Sequence, residues 1–327
     1  MTGEFTRIRQ FLSAFDLSPS PVGPGDDCAV FTPSKGAQLC FTVDAVVEGV
    51  HFTRATSAPA DIGHKALAVN LSDLASMGAM PRFGLCALTL PEQFGRAELA
   101  GLSRGMAALA RSSGLELIGG NVSRAPQLSV TITVAGEVAS GKALRRDGAK
   151  AGDRLYVGGT LGDAAAGLWL LQQPMRRLPR GARALLTAQR RPVPQLGLGR
   201  LAVGHARACI DLSDGLVADA AHLAEASGLS AVLEEESLPL SEPLRQAIRS
   251  GAVPGRAADW ALSGGEDYRL LLAVPPKRAA AFEKAASEAG TPIHPVGRLE
   301  PGQGVRVLDA RGRPRKVKAG FDHFASG

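Results

Sequence analysis

Six aspartates stand where apolar stretches give way to loops or helix starts. Asp26 and Asp27 lie in GPGDDCAV, Asp44 follows QLCFTV, Asp73 lies in AVNLSDLASMG, and Asp211 and Asp214 lie in CIDLSDGL. An ionised carboxylate beside apolar sequence is costly unless it is paired or metal-bound. Each has an ordinary alternative: Ser72, Asp73, Ser213 and Asp214 as helix caps, worth about 1 kcal/mol each, and Asp26–Asp27 as a turn. Taken together, with Ser, Thr and Asn nearby, they form an oxygen-only donor set suited to hard cations. Mg²⁺ normally takes one or two protein carboxylates plus substrate phosphates. This many acids therefore point to several Mg²⁺ ions around a polyphosphate, and no EF-hand loop argues for Ca²⁺.

Glycine pairs extend that reading. Gly119-Gly120-Asn121 follows LELI, Gly158-Gly159-Thr160 follows RLYV, and Gly264-Gly265-Glu266-Asp267 precedes YRLLLAV. Glycine lets backbone N–H groups approach phosphate oxygens closely, although each pair alone also reads as a plain turn. The chain has no P-loop, no strand-linked G-x-G-x-x-G, no protein-kinase motif set and no G-x-S-x-G. His51, seven residues after Asp44, is positioned to meet a ligand near the acids; a hydrogen-bonded structural histidine is the alternative.

These residues need elements to hold them. Apolar or β-branched runs predict strands at Gln38–Val43, Gly84–Leu90, Leu128–Val138, Arg154–Val157 and Arg269–Val274. Helical spacing predicts helices at Asp61–Met77, Arg96–Ser112, Asp163–Gln172, Leu216–Ala226 and Pro276–Ala289. The mixture lacks strict alternation, which favours a two-domain α+β or mixed α/β architecture over a barrel. The Gly-rich, charged stretch 139–153 separates the domains, taken as 1–140 and 141–327. The stretch 172–191, with Pro174, Pro179 and several arginines, reads as an exposed connection. Asn70–Asp73 and Asp211–Asp214 echo one another as two helix starts.

With 327 residues, 45% hydrophobic and 21% charged, the chain is a folded globular protein of about two domains. The four cysteines, Cys28, Cys40, Cys86 and Cys209, are scattered without C-x-x-C, against a disulfide framework or thiolate zinc. No run is long enough to span a bilayer, and the N-terminus lacks a signal-peptide pattern; a cytoplasmic location is expected. The net charge of +6 permits a polyanion partner, but aromatics are only 5%, and no basic stripe interleaved with them suggests nucleic-acid binding. The dense cluster Arg311, Arg313, Arg315, Lys316 and Lys318 reads first as a solvated turn and strand.

The motifs GDDCAV, TVDAVVEGVHF, KALAVNLSDLASMGAMP, RRDGAKAGD, DLSDGL and SGGEDYRLL stand in the order found in bacterial thiamine-monophosphate kinases, and the whole chain resembles that family. The GDD and SDG elements are shared with the wider aminoimidazole ribonucleotide synthetase-like superfamily. The resemblance implies a two-domain fold whose N-terminal domain forms a β-barrel-like interface in a homodimer. It implies ATP, several Mg²⁺ ions, and phosphorylation of thiamine monophosphate to thiamine diphosphate, with no nucleic-acid or membrane partner. By position it implies metal ligation by Asp27, Thr42, Asp44, Asp73, Asn121, Asp211 and Asp214. ATP contacts fall on Gly120, Asn121, Arg146 and Ser213, and acceptor contacts on His51, Glu266 and Phe321, with Asp44, Asp214 and Arg146 central to catalysis. Asn121 stands where the family often has Asp, and Val43 where a hydroxyl is common. A phosphate acceptor, dianionic near neutrality, needs no general base, so the acids act as a metal scaffold. The alternatives are another ATP-dependent member of the superfamily with a different acceptor, or a basic nucleic-acid-binding protein.

Overall fold

The computed structural model describes residues 4–17, 28–174, 179–317 and Gly320. Asp26, Asp27, Lys318, Phe321 and His323 lie outside the described residues. The chain divides into two compact units, one drawn from Met1–Leu74 and Ala79–Gly141, the other from Ala75–Gly78 and Lys142–Gly327.

The first unit contains α1 (Glu4–Leu12), β1 (Ala37–Val47), α2 (Pro59–Ser76, its last turn falling at the division), β2 (Met80–Leu90), α3 (Arg96–Ser113), β3 (Glu116–Arg124) and β4 (Ser129–Ala139). Its sheet runs β1-β4-β2-β3, antiparallel except for the β2–β3 pair. Two-residue alternation sends Val130, Ile132 and Val134 to a buried face. Phe41, Val43 and Leu85 stand exposed. The two long helices approach closely through glycine. A Cβ on Gly105 would lie 1.9 Å from the Ala60 carbonyl oxygen, and one on Gly63 would lie 2.0 Å from that of Leu102. Backbone cannot yield as a flexible side chain can, so both positions require hydrogen.

The second unit contains β5 (Arg154–Gly158), α4 (Asp163–Gln172), α5 (Ala182–Arg190), α6 (Leu196–Ala202), β6 (Ala208–Asp211), α7 (Leu216–Ala226), β7 (Ser230–Glu234), α8 (Glu242–Arg249), α9 (Ala257–Ser263), β8 (Leu270–Val274), α10 (Pro276–Glu288), β9 (Ile293–Glu300), β10 (Val305–Leu308) and β11 (Pro314–Arg315). Its sheet is seven-stranded, ordered β11-β10-β7-β9-β5-β8-β6. Strand β8 is buried along its whole length because alternate residues enter two cores: Leu271 and Ala273 meet α7 and α9, whereas Leu270, Leu272 and Val274 meet α6 and α10. Helices on both faces explain why LLLAV is continuously apolar rather than alternating.

Three sequence expectations are corrected. The stretch 172–191 is more than an exposed connection: α5 occupies part of it and buries Leu185 and Leu186 against α4 and α8. On α5 Arg183 is exposed and Arg190 half-buried, and the arginines of the stretch mask the apolar stripe when composition alone is read. Asn70–Asp73 does not start a helix but lies inside α2, whereas Asp211–Asp214 does precede α7, so the echo is one of residues and not of structure. Gly119-Gly120-Asn121 does not follow a strand but lies within β3. In the basic cluster, Arg313 pairs with Asp309, and Arg315 with Glu235 and Asp259.

Gly105→Ala should cost about 3 kcal/mol or more by forcing α2 and α3 apart. Urea unfolding of the variant beside the wild type measures this.

Candidate active site

In the first unit the acids gather where α2 lies over the edge strand β1. Thr42, Asp44 and Val46 share one side of β1 by alternation. The Thr42 hydroxyl donates to Asp73 Oδ2 at 2.5 Å, and the Asp44 backbone N–H donates to Asn70 Oδ1 at 2.9 Å. Asn70 is fully buried, and its amide donates to the Ala66 carbonyl, which orients the oxygen toward β1. Partial desolvation, reinforced by the charge of Asp73, pushes Asp44 up to about 6. Two carboxylates are thus held near one another at an electrostatic cost, with a hydroxyl alongside.

His51 lies in the turn after β1, where its Nδ1 accepts the Val47 N–H at 3.1 Å; in the neutral ring the proton then resides on Nε2. The buried Lys65 donates to the His51 carbonyl at 3.4 Å. Gly120 and Asn121 lie on β3 at the other edge of the sheet, opposite Cys86 and Ala87 of β2. Asn121 is exposed and stands apart from the Thr42–Asp73 pair.

In the second unit, adjacent strands bring two loops side by side. Strand β6 ends at Asp211 and pairs with the start of β8, so DLSDG and SGGEDY leave the same end of the sheet. They are joined by backbone: Glu266 N–H to the Ser213 carbonyl at 2.7 Å, Tyr268 N–H to that of Leu212 at 2.8 Å, and Leu212 N–H to that of Arg269 at 2.7 Å. A Cβ on Gly265 would lie 2.6 Å from the Ser213 carbonyl oxygen, which explains glycine there. Glu266 and Tyr268 adopt left-handed backbone at φ 69° and 48°. Such strain in non-glycine residues persists only where the surroundings enforce it, and it concentrates at functional sites. Glu266 Oε2 accepts the Gln189 amide at 2.8 Å, which fixes its side chain against α5. The Arg145 carbonyl accepts from Cys209 of β6, placing the exposed Arg146 beside the strand that carries Asp211.

Two acids not singled out as site residues from the sequence anchor these loops. Asp219 Oδ2 accepts from the Asp214 and Gly215 N–H groups at 3.1 and 3.2 Å. Burial and then the charge of Asp214 push it up to about 7. Asp267 accepts from the Gly162 and Ala164 N–H groups at 2.6 and 3.2 Å, tying SGGEDY to the start of α4; burial likewise pushes it up to about 7. Asp219 was findable as an acid in the first turn of a helix, where unpaired N–H groups favour a carboxylate. Asn70 had no such signal, because its role depends on α2 crossing β1. Among the described residues, no three His, Cys, Asp or Glu side chains converge as a closed metal cage. The fit to hard cations rests on the oxygen donors and the like-charge strain at Asp44 and Asp73.

Comparison with known proteins supplies the class. The family models AIR synthase related protein, N-terminal domain, and AIR synthase related protein, C-terminal domain, match residues 25–138 and 150–310. The fold is the mixed α/β, two-domain fold of that class. The thiamine-monophosphate kinase of Salmonella typhimurium LT2 is 39% identical over 99% of both chains. The crystal structure of the Stenotrophomonas maltophilia K279a thiamine-monophosphate kinase is 39% identical, with TM-score 0.80 over 92% of this chain and 94% of that one. AaThiL complexed with AMPPCP and TMP is 31% identical, with TM-score 0.80 over 98% of this chain and 97% of that one. The chain belongs to the thiamine-monophosphate kinase family and is a kinase.

Asp219→Asn retains an oxygen to accept both N–H groups but removes the charge that Asp214 and Asp211 repel. A carboxyl raised from its ordinary value of 3.8 to about 7 destabilises the fold progressively as pH rises between those values. In metal-free protein, Asp219→Asn should therefore gain stability over wild type as pH climbs through this window and keep the advantage above it. Thermal unfolding in EDTA across that range measures it.

Proposed function

We propose that this chain phosphorylates thiamine monophosphate with ATP, giving thiamine diphosphate and ADP, by direct in-line transfer assisted by Mg²⁺. The observation that carries this reading is the likeness over 98% of the chain to an enzyme complexed with an ATP analogue and TMP. In the proposed step an acceptor phosphate oxygen bonds to the γ-phosphorus as the bond to the β–γ bridging oxygen breaks. The acceptor is already largely dianionic at neutral pH. No base need remove a proton; what must be overcome is repulsion between two anionic phosphates. Mg²⁺, when bound, supplies charge neutralisation.

The chain's own groups have distinct parts in this proposal. Thr42, Asp44 and Asp73 in the first unit, with Asp27, and Asp211 and Asp214 in the second would hold the ions. Asn121 contributes an uncharged carbonyl oxygen, and Val43 contributes no ligand. Gly120, Asn121, Arg146 and Ser213 would contact ATP, and the Arg146 guanidinium would oppose charge on the transferring group. His51, Glu266 and Phe321 would hold the acceptor. The backbone bonds between DLSDG and SGGEDY support this assignment, because they make the Glu266 and Asp214 positions interdependent.

Incubation of purified protein with ATP, Mg²⁺ and thiamine monophosphate, followed by chromatography, tests the reaction: thiamine diphosphate should form and should vanish with EDTA. Absence of product with ATP still bound would redirect the reading to another acceptor. Asp44→Asn and Asp214→Asn should each lower kcat by about 100-fold or more, and His51→Gln by much less. Similar small losses in all three would refute the scaffold role.

A homodimer is proposed as well. The open sheet face of the first unit exposes Phe41 at 62%, Val43 at 58% and Leu85 at 43%. Contiguous exposed apolar surface marks an interaction site, and a second copy joining through this face would close it into the barrel-like interface. Phe41→Glu should shift the protein to monomer in light scattering after size exclusion; an unchanged mass would place the interface elsewhere.

No helix among the described residues is long and apolar enough to cross a membrane.

A further inference from the structure

Between α5, the start of α4 and the approach to β8 lies a cavity of about 410 Å³. It shares no wall residue with the groups assigned above to ATP, the acceptor or Mg²⁺. Three arginines line it: Arg183 on α5, Arg191 just past the end of that helix, and Arg269 just before β8. Thr187 stands one turn after Arg183 and adds a hydroxyl to the same wall. Ala184, Ala188 and Pro192 supply apolar surface beside these polar groups.

The Arg269 guanidinium is the informative group. Its Nε is buried and, among the described residues, meets no acceptor. A buried donor left unmatched is rare in a native fold. Its surroundings hold it in place. The Arg269 backbone carbonyl accepts the Leu212 N–H at 2.7 Å, and the guanidinium packs on Gly159, where a Cβ would lie 3.4 Å from both Nε and Cζ. Two acids, Asp163 and Asp267, also line the cavity, but their oxygens already accept elsewhere. Asp163 takes the hydroxyls of Thr160 and Ser241, and Asp267 takes the N–H groups of Gly162 and Ala164. Burial pushes Asp267 up to about 7, so near neutrality its charge only partly offsets that of Arg269. The cavity is left with a surplus of positive charge and of N–H donors. Guanidinium forks match the oxygens of a phosphate, and arginines from three segments suit a tetrahedral group better than a planar carboxylate.

We propose that this cavity is an additional oxyanion site, taking a phosphate group, free or borne by a small ester, on Arg183, Arg191, Arg269 and the Thr187 hydroxyl. It is separate from the sites for ATP and the acceptor. Its occupant would brace α5 against the segment before β8, the two elements that Gln189 and Glu266 already join at 2.8 Å.

Intact protein in EDTA, without nucleotide or thiamine monophosphate, is titrated calorimetrically with inorganic phosphate and, separately, with phenyl phosphate, at constant ionic strength set with chloride. One saturable event is expected. Tighter binding of phenyl phosphate would assign the cavity to an ester, and equal binding to the free anion. Arg269→Gln and Arg183→Gln should each weaken binding about ten-fold or more. Arg183 is exposed, so its replacement tests the site even if Arg269→Gln fails to fold. Arg269→Lys, which keeps the charge but not the fork, should recover part of the loss. Absence of saturable binding, or binding undiminished by both cavity variants, would overturn the proposal. Equal loss in Arg146→Gln would place the anion at the ATP contact and overturn it as well. Turnover enters none of these readings, so the proposed reaction stands or falls separately.

Discussion

Like-charged carboxylates held close together impose the constraint from which much of this structure follows. Asp44 faces the charge of Asp73, and Asp219 faces those of Asp214 and Asp211. Left to themselves such groups separate or take up protons. Here they are retained by donors that cannot move: the Thr42 hydroxyl on Asp73, and two backbone N–H groups on Asp219, while buried Asn70 grips the backbone of Asp44. The ion-free protein carries burial of these acids, and then their repulsion, as lost stability. A bound cation would convert the same repulsion into affinity, since binding only to the native state stabilises it. Stability has been exchanged for a charged site, as is common where function requires strained groups.

The scaffold that maintains this strain is ordinary and stiff. In the first unit α2 and α3 approach closely at Gly63 and Gly105, and α2 carries Asp73 and Asn70 into hydrogen bonds with β1. In the second unit both faces of the sheet are packed, so the ends of β6 and β8 have little freedom. Two loops leaving neighbouring strands then share backbone hydrogen bonds. The left-handed conformations of Glu266 and Tyr268 are enforced by those bonds and by the grip of Asp267 on the start of α4. A phosphate acceptor suits such a framework, because it demands position and charge more than proton transfer.

Much of the fold was legible in the sequence wherever one local pattern dominates. Asp163–Gln172 and Leu216–Ala226 are helices over those spans. The strand at Gln38–Val43 is the first part of a longer β1, because the antiparallel pairing with β4 continues past Asp44 to Val47. Helix α5 was not legible, since Pro179 and its arginines outweigh a two-leucine stripe until α4 and α8 are present to cover it. The placement of NLSD was misread for a related reason: Ser and Asp favour helix starts on average, but inside α2 a partner strand supplies what a cap would have supplied.

The sequence by itself determined the chemistry on offer: oxygen ligands without thiolates, glycine where backbone must come close, and a motif order that identifies the family. These are matters of residue type and neighbouring spacing, which need no fold to be read. Only the tertiary structure decided which groups act together. Thr42 and Asp73, Asp219 and the Asp214 backbone, and Glu266 and Gln189 are pairings across strands, helices and loops. Such pairings are decided by how elements cross and what they bury, and the desolvation and charge repulsion that tune the acids exist only once those crossings have formed.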